Sequence, residues 1–174
     1  MVAPAPAPAE LAIVELLINP AGTDTGREWI EIVNRTSHTV SLAGLHISDA
    51  ANDAAVDFGT VAGASLLAAG SRMVLIQSAD STKNGGITLG GATPGGSFGT
   101  LVSLNNDADT ISVCVGACAT GVVIDRVAWD ASLGSGYDGH ALVIDDSARR
   151  CPATLPFGEG GSFGTPAVAS SPCP

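Results

Sequence analysis

The fold is decided by residues 27–34, Arg27-Glu28-Trp29-Ile30-Glu31-Ile32-Val33-Asn34. Ile30 and Ile32 share one face of this stretch, whereas Trp29 and Glu31 share the other. Such a period of two is typical of a β-strand with one side against a core. Residues 34–38 are of types that favour turns, so we expect the strand to end there.

Similar short apolar segments recur on both sides of this strand. We predict further strands over residues 11–18, 45–49, 72–77, 110–114, 122–129 and 140–144. The 22 glycines and 10 prolines interrupt the chain too often for long helices. With 174 residues, of which 45% are hydrophobic and only 4% aromatic, one domain with a core of Val, Leu, Ile and Ala is expected. The sequence therefore predicts an all-β sandwich or barrel.

Three stretches do not fit this series of strands. Residues 1–10 are rich in Pro and Ala and are predicted to be a linker. Residues 78–100 are rich in Gly, Ser, Thr and Asn, and their length indicates an insertion on the surface. The chain from Pro152 onward is predicted to be coil. The hexapeptide Gly-Gly-Ser-Phe-Gly-Thr occurs at 95–100 and at 160–165, and we predict that each copy is a turn anchored by its phenylalanine.

The chain is strongly acidic, with a net charge of −10 and one lysine, Lys83. Nucleic-acid phosphates require clustered Lys or Arg, and Arg149-Arg150 is the one adjacent basic pair. The charge therefore argues against nucleic acid and against anionic membrane surfaces as partners. It suits solubility and divalent cations equally well. No apolar run reaches the roughly 18 residues that a transmembrane segment needs.

The four cysteines form two natural pairs along the chain. Cys114 and Cys118 are separated by three residues, about the length of a hairpin loop, so a disulfide there would join the flanking strands. A bridge between Cys151 and Cys173 would tie down the C-terminal tail, residues 168–174. Four cysteines allow three connectivities, and the sequence does not choose among them. Zinc is disfavoured because CxxC pairs and suitably spaced histidines are missing. Disulfides in turn indicate an oxidising compartment.

The N-terminus indicates processing. Met1-Val2 leads directly into Pro4, Pro6 and Pro8, which is typical of a start methionine placed before a trimmed mature form. We therefore expect a signal peptide or lipid anchor in the natural protein, and a secreted, periplasmic or outer-surface location.

The order of these segments resembles the lamin tail domain family, in the form found in bacterial exported proteins. The matching segments in chain order are Ile13-Val14-Glu15-Leu16 with Asn19-Pro20, Glu28-Trp29-Ile30-Glu31-Ile32 with Asn34, Val40-Ser41-Leu42-Ala43-Gly44-Leu45 with Ser48-Asp49, Leu67-Ala68-Ala69-Gly70, Leu104-Asn105-Asn106 with Asp109-Thr110-Ile111, Val123-Ile124-Asp125-Arg126-Val127 and Gly164-Thr165-Pro166. The resemblance covers residues 11–167, with 78–100 as a Gly-rich loop insertion. The chain departs from the family in that insertion, in both cysteine pairs, and at Leu45, where the family often has tryptophan.

The resemblance implies an immunoglobulin-like β-sandwich without catalytic residues. In bacteria such domains are attached to secreted hydrolases, nucleases or surface proteins. The chain itself agrees, because none of its serines, cysteines or histidines (His38, His46, His140) lies in a catalytic motif, and His140 is predicted to be a surface histidine.

Calcium is the one cofactor that the loops could accommodate. Three loops carry oxygen ligands, and we favour Asp49, Asn52 and Asp53, with Asp57 as a converging ligand. The same residue types also make ordinary turns, which is the simpler interpretation.

Two tryptophans and one acid have open roles. Trp29, on the face opposite Ile30, could contact a partner protein or a sugar ring together with Trp129, or a loop or the C-terminal tail could cover it. Glu15 lies in an apolar strand, and Arg27 or Arg126 is predicted to pair with it.

The sequence as a whole predicts a non-catalytic extracellular or cell-envelope module. The module would present its loops, chiefly 78–100 and 130–139, to a protein or polysaccharide partner, and its oligomeric state stays open. The alternatives are a calcium-dependent adhesion module and an accessory domain of a secreted nuclease or phosphoesterase.

Overall fold

The computed structural model describes residues 2–60, 63–84, 95–158 and 161–174, of which the side chains of 134 and 135 are left aside. Its fold is an all-β, immunoglobulin-like sandwich of two main sheets. We number the strands β1 to β14 in chain order. The predicted strands are all present, with ends that differ by at most two residues from the sequence-based bounds.

The larger sheet has six strands. They are β1 (Leu11–Leu17), β2 (Trp29–Asn34), β7 (Arg72–Ile76), β8 (Gly96–Ser97), β11 (Leu142–Ile144) and β12 (Arg150–Pro152). Their spatial order is β12-β11-β1-β2-β7-β8, and every pair is antiparallel except β7 with β8. The stretch that decides the fold, β2, therefore lies in the middle of this sheet.

The smaller sheet has four strands, all antiparallel. They are β4 (Leu45–Ser48), β5 (Asp53–Ala55), β9 (Asp109–Val115) and β10 (Val122–Trp129), in the spatial order β10-β9-β4-β5. Two further ribbons pair β3 (Val40–Ser41) with β6 (Leu66–Leu67) and β13 (Pro156–Phe157) with β14 (Ser162–Phe163). A 3₁₀ helix, Ala131–Tyr137, follows β10.

The main core fills the space between the two sheets. Ile30 and Ile32 of β2 and Ile47 of β4 belong to it and are completely buried. A β-bulge between Ile13 and Glu15 shifts the alternation of β1 by one residue. Because of this shift, apolar residues before and after the bulge can both face the core.

A second apolar cluster lies on the other face of the larger sheet. Trp29 is its largest member, is 0% exposed, and packs edge-on against Phe157 with the ring centroids 5.7 Å apart. The segment that supplies Phe157 comprises residues 153–158 and 161–173, and we call it the C-terminal cover. The prediction of coil from Pro152 onward was wrong in part, because β13 and β14 lie within this segment.

Two buried glutamates attach the C-terminal cover to the sheet. Glu15 accepts hydrogen bonds from Thr165 N at 2.8 Å, Thr165 Oγ1 at 2.6 Å and Ser170 Oγ at 2.8 Å. Glu31 accepts a hydrogen bond from Ala167 N and forms an ion pair with Arg72. Burial raises the pKa of Glu15, and it raises the pKa of Glu31 to about 7 although Arg72 and Ala167 act in the opposite direction.

The partner predicted for Glu15 was therefore wrong. Arg27 Nη1 donates to the Ala21 carbonyl oxygen instead, and Arg126 Nε donates to Ser112 Oγ. Hydroxyl and backbone N–H donors from a segment 150 residues away in sequence replace the expected ion pair.

Both ends of the chain contact the sandwich. Within the predicted linker, the Pro4 carbonyl accepts a hydrogen bond from Ser41 N at 2.7 Å, and Ala9 N donates to the Ile124 carbonyl at 2.9 Å. Cys151 and Cys173 form a disulfide near the C-terminus, and Cys114 and Cys118 form a second one. In the described part of the chain, no helix has the length and hydrophobicity to cross a membrane.

The two copies of the hexapeptide adopt different surroundings. Phe98 of the first copy is 2% exposed and belongs to the main core. Phe163 of the second copy is half-buried and stacks on His140 with a centroid separation of 4.2 Å. Residues 85–94, the centre of the predicted insertion, lie outside the described residues.

Candidate functional site

The outer face of the four-stranded sheet carries an open concavity of about 560 Å³. Its wall contains Ser48 from β4, Thr110 and Ser112 from β9, and Arg126 from β10. The turn between β4 and β5 and the tip of the β9–β10 hairpin form its rim. Because Leu45 and Ile47 of β4 point into the core, the intervening residues His46 and Ser48 face outward. The concavity is thus a polar surface built on a rigid sheet.

Asp49 organises the rim on the β4–β5 side. Its Oδ1 accepts hydrogen bonds from Ala51 N at 2.7 Å and Asn52 N at 2.5 Å, and its Oδ2 accepts one from Ser103 N at 3.2 Å. Burial opposes ionisation of this carboxyl group, but the backbone donors outweigh it and keep the pKa of Asp49 below its usual value. Asp49 therefore fixes the loop.

Asp53 connects the rim to the hairpin tip. One carboxylate oxygen lies 2.5 Å from His46 Nδ1, and the other accepts a hydrogen bond from Cys118 N at 2.5 Å. A single side chain thereby joins an imidazole on β4 to the loop that holds the Cys114–Cys118 disulfide. Sequence reasoning missed this unit, although the outward position of His46 between Leu45 and Ile47 was a usable signal.

Arg126 provides the positive charge of the concavity. Its Nε donates to Ser112 Oγ at 3.0 Å, and the residue is exposed. A guanidinium group has five N–H donors, so this contact leaves donors for a ligand. Sequence reasoning also missed Arg126 as a site residue and assigned it to Glu15.

The structure brings the favoured calcium ligands Asp49, Asn52 and Asp53 together in one loop, but their side chains make hydrogen bonds within the protein. Asp49 and Asp53 accept N–H donors, and the Asn52 side-chain amide donates to Asp49 Oδ2 at 3.4 Å. Asp57 accepts a hydrogen bond from Gly59 N and pairs with Ser97 on another sheet. Among the described residues, no three His, Cys, Asp or Glu side chains are grouped so as to hold a metal ion. Calcium binding here would require these N–H donors to be displaced.

Neither tryptophan reaches the surface of this site. Trp29 lies beneath the C-terminal cover, and Trp129 is 6% exposed with Nε1 donating to the Asn105 carbonyl at 2.8 Å. Their assignment as partner contacts therefore needs correction, because both indoles pack in the interior. The amphipathic alternation of β2 does not distinguish a solvent-facing side from one that a distant segment covers.

The remaining predicted elements lie elsewhere. His140 Nδ1 is 2.7 Å from the Ala153 carbonyl oxygen, so His140 supports the C-terminal cover, while His38 is exposed. Residues 131–137 of the predicted loop 130–139 form the 3₁₀ helix, beside a cavity of about 280 Å³. That cavity is separate in its lining residues from the concavity on the four-stranded sheet.

A buried polar network surrounds Glu28, the residue that precedes β2. Glu28 accepts hydrogen bonds from Gln77 Nε2 at 2.8 Å, Leu104 N at 2.9 Å and Ser103 Oγ at 3.2 Å. Burial raises the pKa of Glu28 to about 8, although the Leu104 donor acts in the opposite direction. Because Ser103 N also binds Asp49, this network links the larger sheet to the rim of the concavity.

Comparison with known proteins agrees with this architecture. The family model described as Lamin Tail Domain matches residues 4–131. Comparisons with curated proteins and with solved structures give no match. The matched region contains the whole four-stranded sheet, whereas the whole C-terminal cover and the Cys151–Cys173 disulfide lie beyond it. Domains of this kind are generally non-catalytic binding or structural modules. Since the match spans well over half of the chain and the strands form the expected sandwich, the chain belongs to the lamin tail domain family.

Proposed function

We propose that this chain is a non-catalytic, extracellular binding module that holds a protein or polysaccharide partner in the concavity of its four-stranded sheet. The proposal rests on Arg126, an exposed cation that lies among the hydroxyl groups of Ser48, Thr110 and Ser112. Its Nε donates to Ser112 Oγ, and its other N–H groups are left to bind a ligand. Hydroxyl, carboxylate and guanidinium groups within one open surface suit a ligand that is recognised through hydrogen bonds.

The rim supports recognition because it is rigid before any partner arrives. Asp49 holds its loop through three backbone N–H groups, and Asp53 links His46 to the hairpin tip. A preorganised surface loses less conformational entropy when it binds, so more of the contact energy contributes to affinity. An arginine in the middle of such a surface is a typical energetic hot spot of an interface.

An extracellular location is supported by the two disulfides. Disulfides persist in oxidising compartments and are rare in the reducing cytosol. Both bonds join positions that the fold brings together, with Cα atoms 5.4 Å and 5.6 Å apart. We therefore place the working protein in the cell envelope or outside the cell.

The proposal can be tested with fluorescently labelled protein on intact cells of the source organism. We expect saturable binding that protease treatment of the cells removes if the partner is a protein, and that periodate removes if it is a polysaccharide. Arg126→Ala should weaken binding by about tenfold, as expected for a central interface arginine.

Arg35→Ala is the matched control. Arg35 is also exposed, but it pairs with Asp146 and does not line the concavity. This variant should bind like the wild type. Equal binding by the Arg126 and Arg35 variants, or failure of the wild type to bind, would overturn the proposal.

A further inference from the structure

The two disulfides differ in what surrounds them. Cys114 and Cys118 are four residues apart at the tip of the β9–β10 hairpin, and Cys118 is half-buried at the wall of the concavity. Cys151 and Cys173 are 22 residues apart, and Cys173 is 4% exposed within the second apolar cluster. The two disulfides are alike in exposure, because Cys114 is 0% exposed and Cys151 is half-buried at the wall of another cavity. They differ in the groups that lie beside their sulfur atoms.

A histidine lies beside the first disulfide. His46 is the direct cross-strand partner of Cys114 in the β4–β9 pair, on the face of the sheet opposite the main core, where Cys114 is 0% exposed. Residues directly opposite each other in an antiparallel pair have Cβ atoms about 5 Å apart. The imidazole of His46 is thus adjacent to the cystine, and imidazole is a common proton donor and acceptor in proteins.

Asp53 holds this arrangement in place. Its carboxylate lies 2.5 Å from His46 Nδ1 through one oxygen and accepts the Cys118 N–H through the other. The imidazole and the half-buried Cys118 are therefore fixed by the same side chain. An imidazole that is oriented by a carboxylate beside a sulfur atom can transfer a proton to or from that sulfur.

The second disulfide has the opposite surroundings. Cys173 Sγ lies near the carbonyl oxygens of Arg149 at 3.6 Å and Val143 at 3.9 Å, and Cys173 N donates to Asp145. Oxygen acceptors around a sulfur disfavour the negative charge of a thiolate. The chain thus contains its own comparison disulfide, with no imidazole among these contacts of Cys173.

The hairpin does not depend on its disulfide for its shape. Gly116 N donates to the Gly44 carbonyl at 2.8 Å, and Gly121 N donates to the Ala117 carbonyl. The β9–β10 ladder continues over seven registered pairs below the tip. Opening of the Cys114–Cys118 bond therefore leaves the flanking strands paired.

We propose that the Cys114–Cys118 disulfide is a thiol-exchange site that reacts with low-molecular-weight thiols. The thiolate of an incoming thiol attacks Cys118 Sγ and forms a mixed disulfide with it. The bond between Cys118 and Cys114 breaks, its electron pair leaves on Cys114 Sγ, and His46 supplies a proton to that sulfur. A second thiolate then attacks the sulfur of the first thiol, which releases Cys118. The protein cystine is reduced by two electrons and two protons, and two thiol molecules are oxidised to their disulfide.

This activity is independent of the partner binding proposed above, which requires no reactive bond. It assigns His46 the role of proton donor and Asp53 the role of a positioning residue.

The test uses the folded, oxidised protein and reduced glutathione. Samples are quenched with N-ethylmaleimide at successive times, and the alkylated peptides are mapped by mass spectrometry. We expect Cys114–Cys118 to open at least about tenfold faster than Cys151–Cys173, because thiol exchange depends on the leaving thiol and His46 lies opposite the leaving Cys114. We also expect glutathione on Cys118 in the mixed disulfide. Equal rates, faster opening of Cys151–Cys173, or glutathione on Cys114 would overturn the proposal.

His46→Gln isolates the imidazole. It should slow the opening of Cys114–Cys118 by about tenfold or more, as loss of a general acid typically does. The rate at Cys151–Cys173 and the circular dichroism spectrum should stay unchanged. His140→Gln is the control, since His140 contacts Ala153 near the second disulfide. If His46→Gln slows neither bond, or slows both equally, the role assigned to His46 is wrong.

Discussion

Glu15 and Glu31 lie directly opposite each other on neighbouring strands of the larger sheet, and both are 0% exposed. Two carboxylates in this arrangement repel each other when both are charged. Arg72 offsets part of that charge, and the C-terminal cover supplies N–H and O–H donors to both groups. The attachment of the C-terminal cover is therefore linked to the protonation of this pair.

The first prediction is that the protein becomes less stable as the pH rises. The pKa of Glu31 is raised from 4.5 to about 7, and that of Glu28 from 4.5 to about 8, in both cases mainly by burial. At pH values between the pKa of such a group in the unfolded chain and its raised pKa in the folded protein, the folded protein binds more protons. The free energy of unfolding therefore falls as the pH rises. We expect each of the two groups to lower the free energy of unfolding by about 2–4 kcal/mol from pH 5 to pH 8 in urea unfolding experiments.

Glu31→Gln should reduce this pH dependence by the share of Glu31, because the glutamine side chain cannot ionise, while the share of Glu28 remains. Asp146→Asn is the control, since the Asp146 side chain is 95% exposed and should leave the slope unchanged. A free energy of unfolding that rises between pH 5 and pH 8 would contradict the prediction.

The second prediction concerns the unequal contributions of the two disulfides to stability. Cys151–Cys173 closes a loop with a sequence separation of 22, whereas Cys114–Cys118 closes one of 4. From loop-closure entropy, replacing both cysteines by serine should cost about 3 kcal/mol for the longer loop and about 2 kcal/mol for the shorter one. Urea denaturation of the two double variants measures both values.

Tryptophan fluorescence shows whether the loss of a disulfide releases the C-terminal cover. Release of the C-terminal cover would hydrate Trp29, so the Cys151→Ser, Cys173→Ser variant should show a red-shifted emission in its native state. The Cys114→Ser, Cys118→Ser variant should keep the wild-type spectrum and serves as the control. A red shift in the second variant alone would contradict the assignment of Trp29 to the C-terminal cover.

Local sequence patterns predicted the framework of this molecule well. Alternation identified β2 and β4, and the short spacing of Cys114 and Cys118 indicated a hairpin that the structure contains. These features depend on neighbouring residues, since strand periodicity and turn chemistry act over a few positions. The family resemblance, which rests on the order of such segments, is confirmed by the match over residues 4–131.

Contacts between distant segments could not be predicted in the same way. The partner of Glu15 is Thr165, 150 residues away, and the cover of Trp29 includes Phe157. Pairing of this kind depends on three-dimensional topology, which one sequence does not encode in any local pattern. The link between His46 and Asp53 was missed for a related reason, because it requires the register of β4 with β5.

The third prediction concerns Gly164, which belongs to the second copy of the hexapeptide. A Cβ atom at Gly164 would lie 3.0 Å from both Trp29 Cζ2 and Phe157 Cε1, so this position of the C-terminal cover is tightly packed against Trp29. Gly164→Ala should therefore destabilise the protein by about 1–2 kcal/mol through overpacking. Thermal unfolding followed by circular dichroism measures the effect.

Gly136→Ala is the matched control for this substitution. No atom lies within 4 Å of a Cβ placed at Gly136, and its backbone conformation is not of the left-handed type. This variant should keep the wild-type melting temperature or exceed it slightly. Equal destabilisation by both variants would show that the contact with Trp29 is not the cause.

The fourth prediction is that calcium does not stabilise the β4–β5 loop. Asp49 accepts N–H donors from Ala51, Asn52 and Ser103, so its oxygens face protons that a cation would have to displace. Calcium requires six to eight oxygen ligands. We expect the same melting temperature with millimolar calcium and with excess chelator.

Asp49→Asn tests the same loop without calcium. The amide oxygen could still accept from Ala51 N and Asn52 N, but the NH2 group would then face Ser103 N, so we expect a loss of about 1–2 kcal/mol of unfolding free energy in calcium and in chelator alike. A ligand that binds only the folded state must raise the melting temperature. A rise with calcium in the wild type that disappears in Asp49→Asn would therefore show that a cation does replace these donors, and that the loop is a metal site rather than a hydrogen-bonded turn.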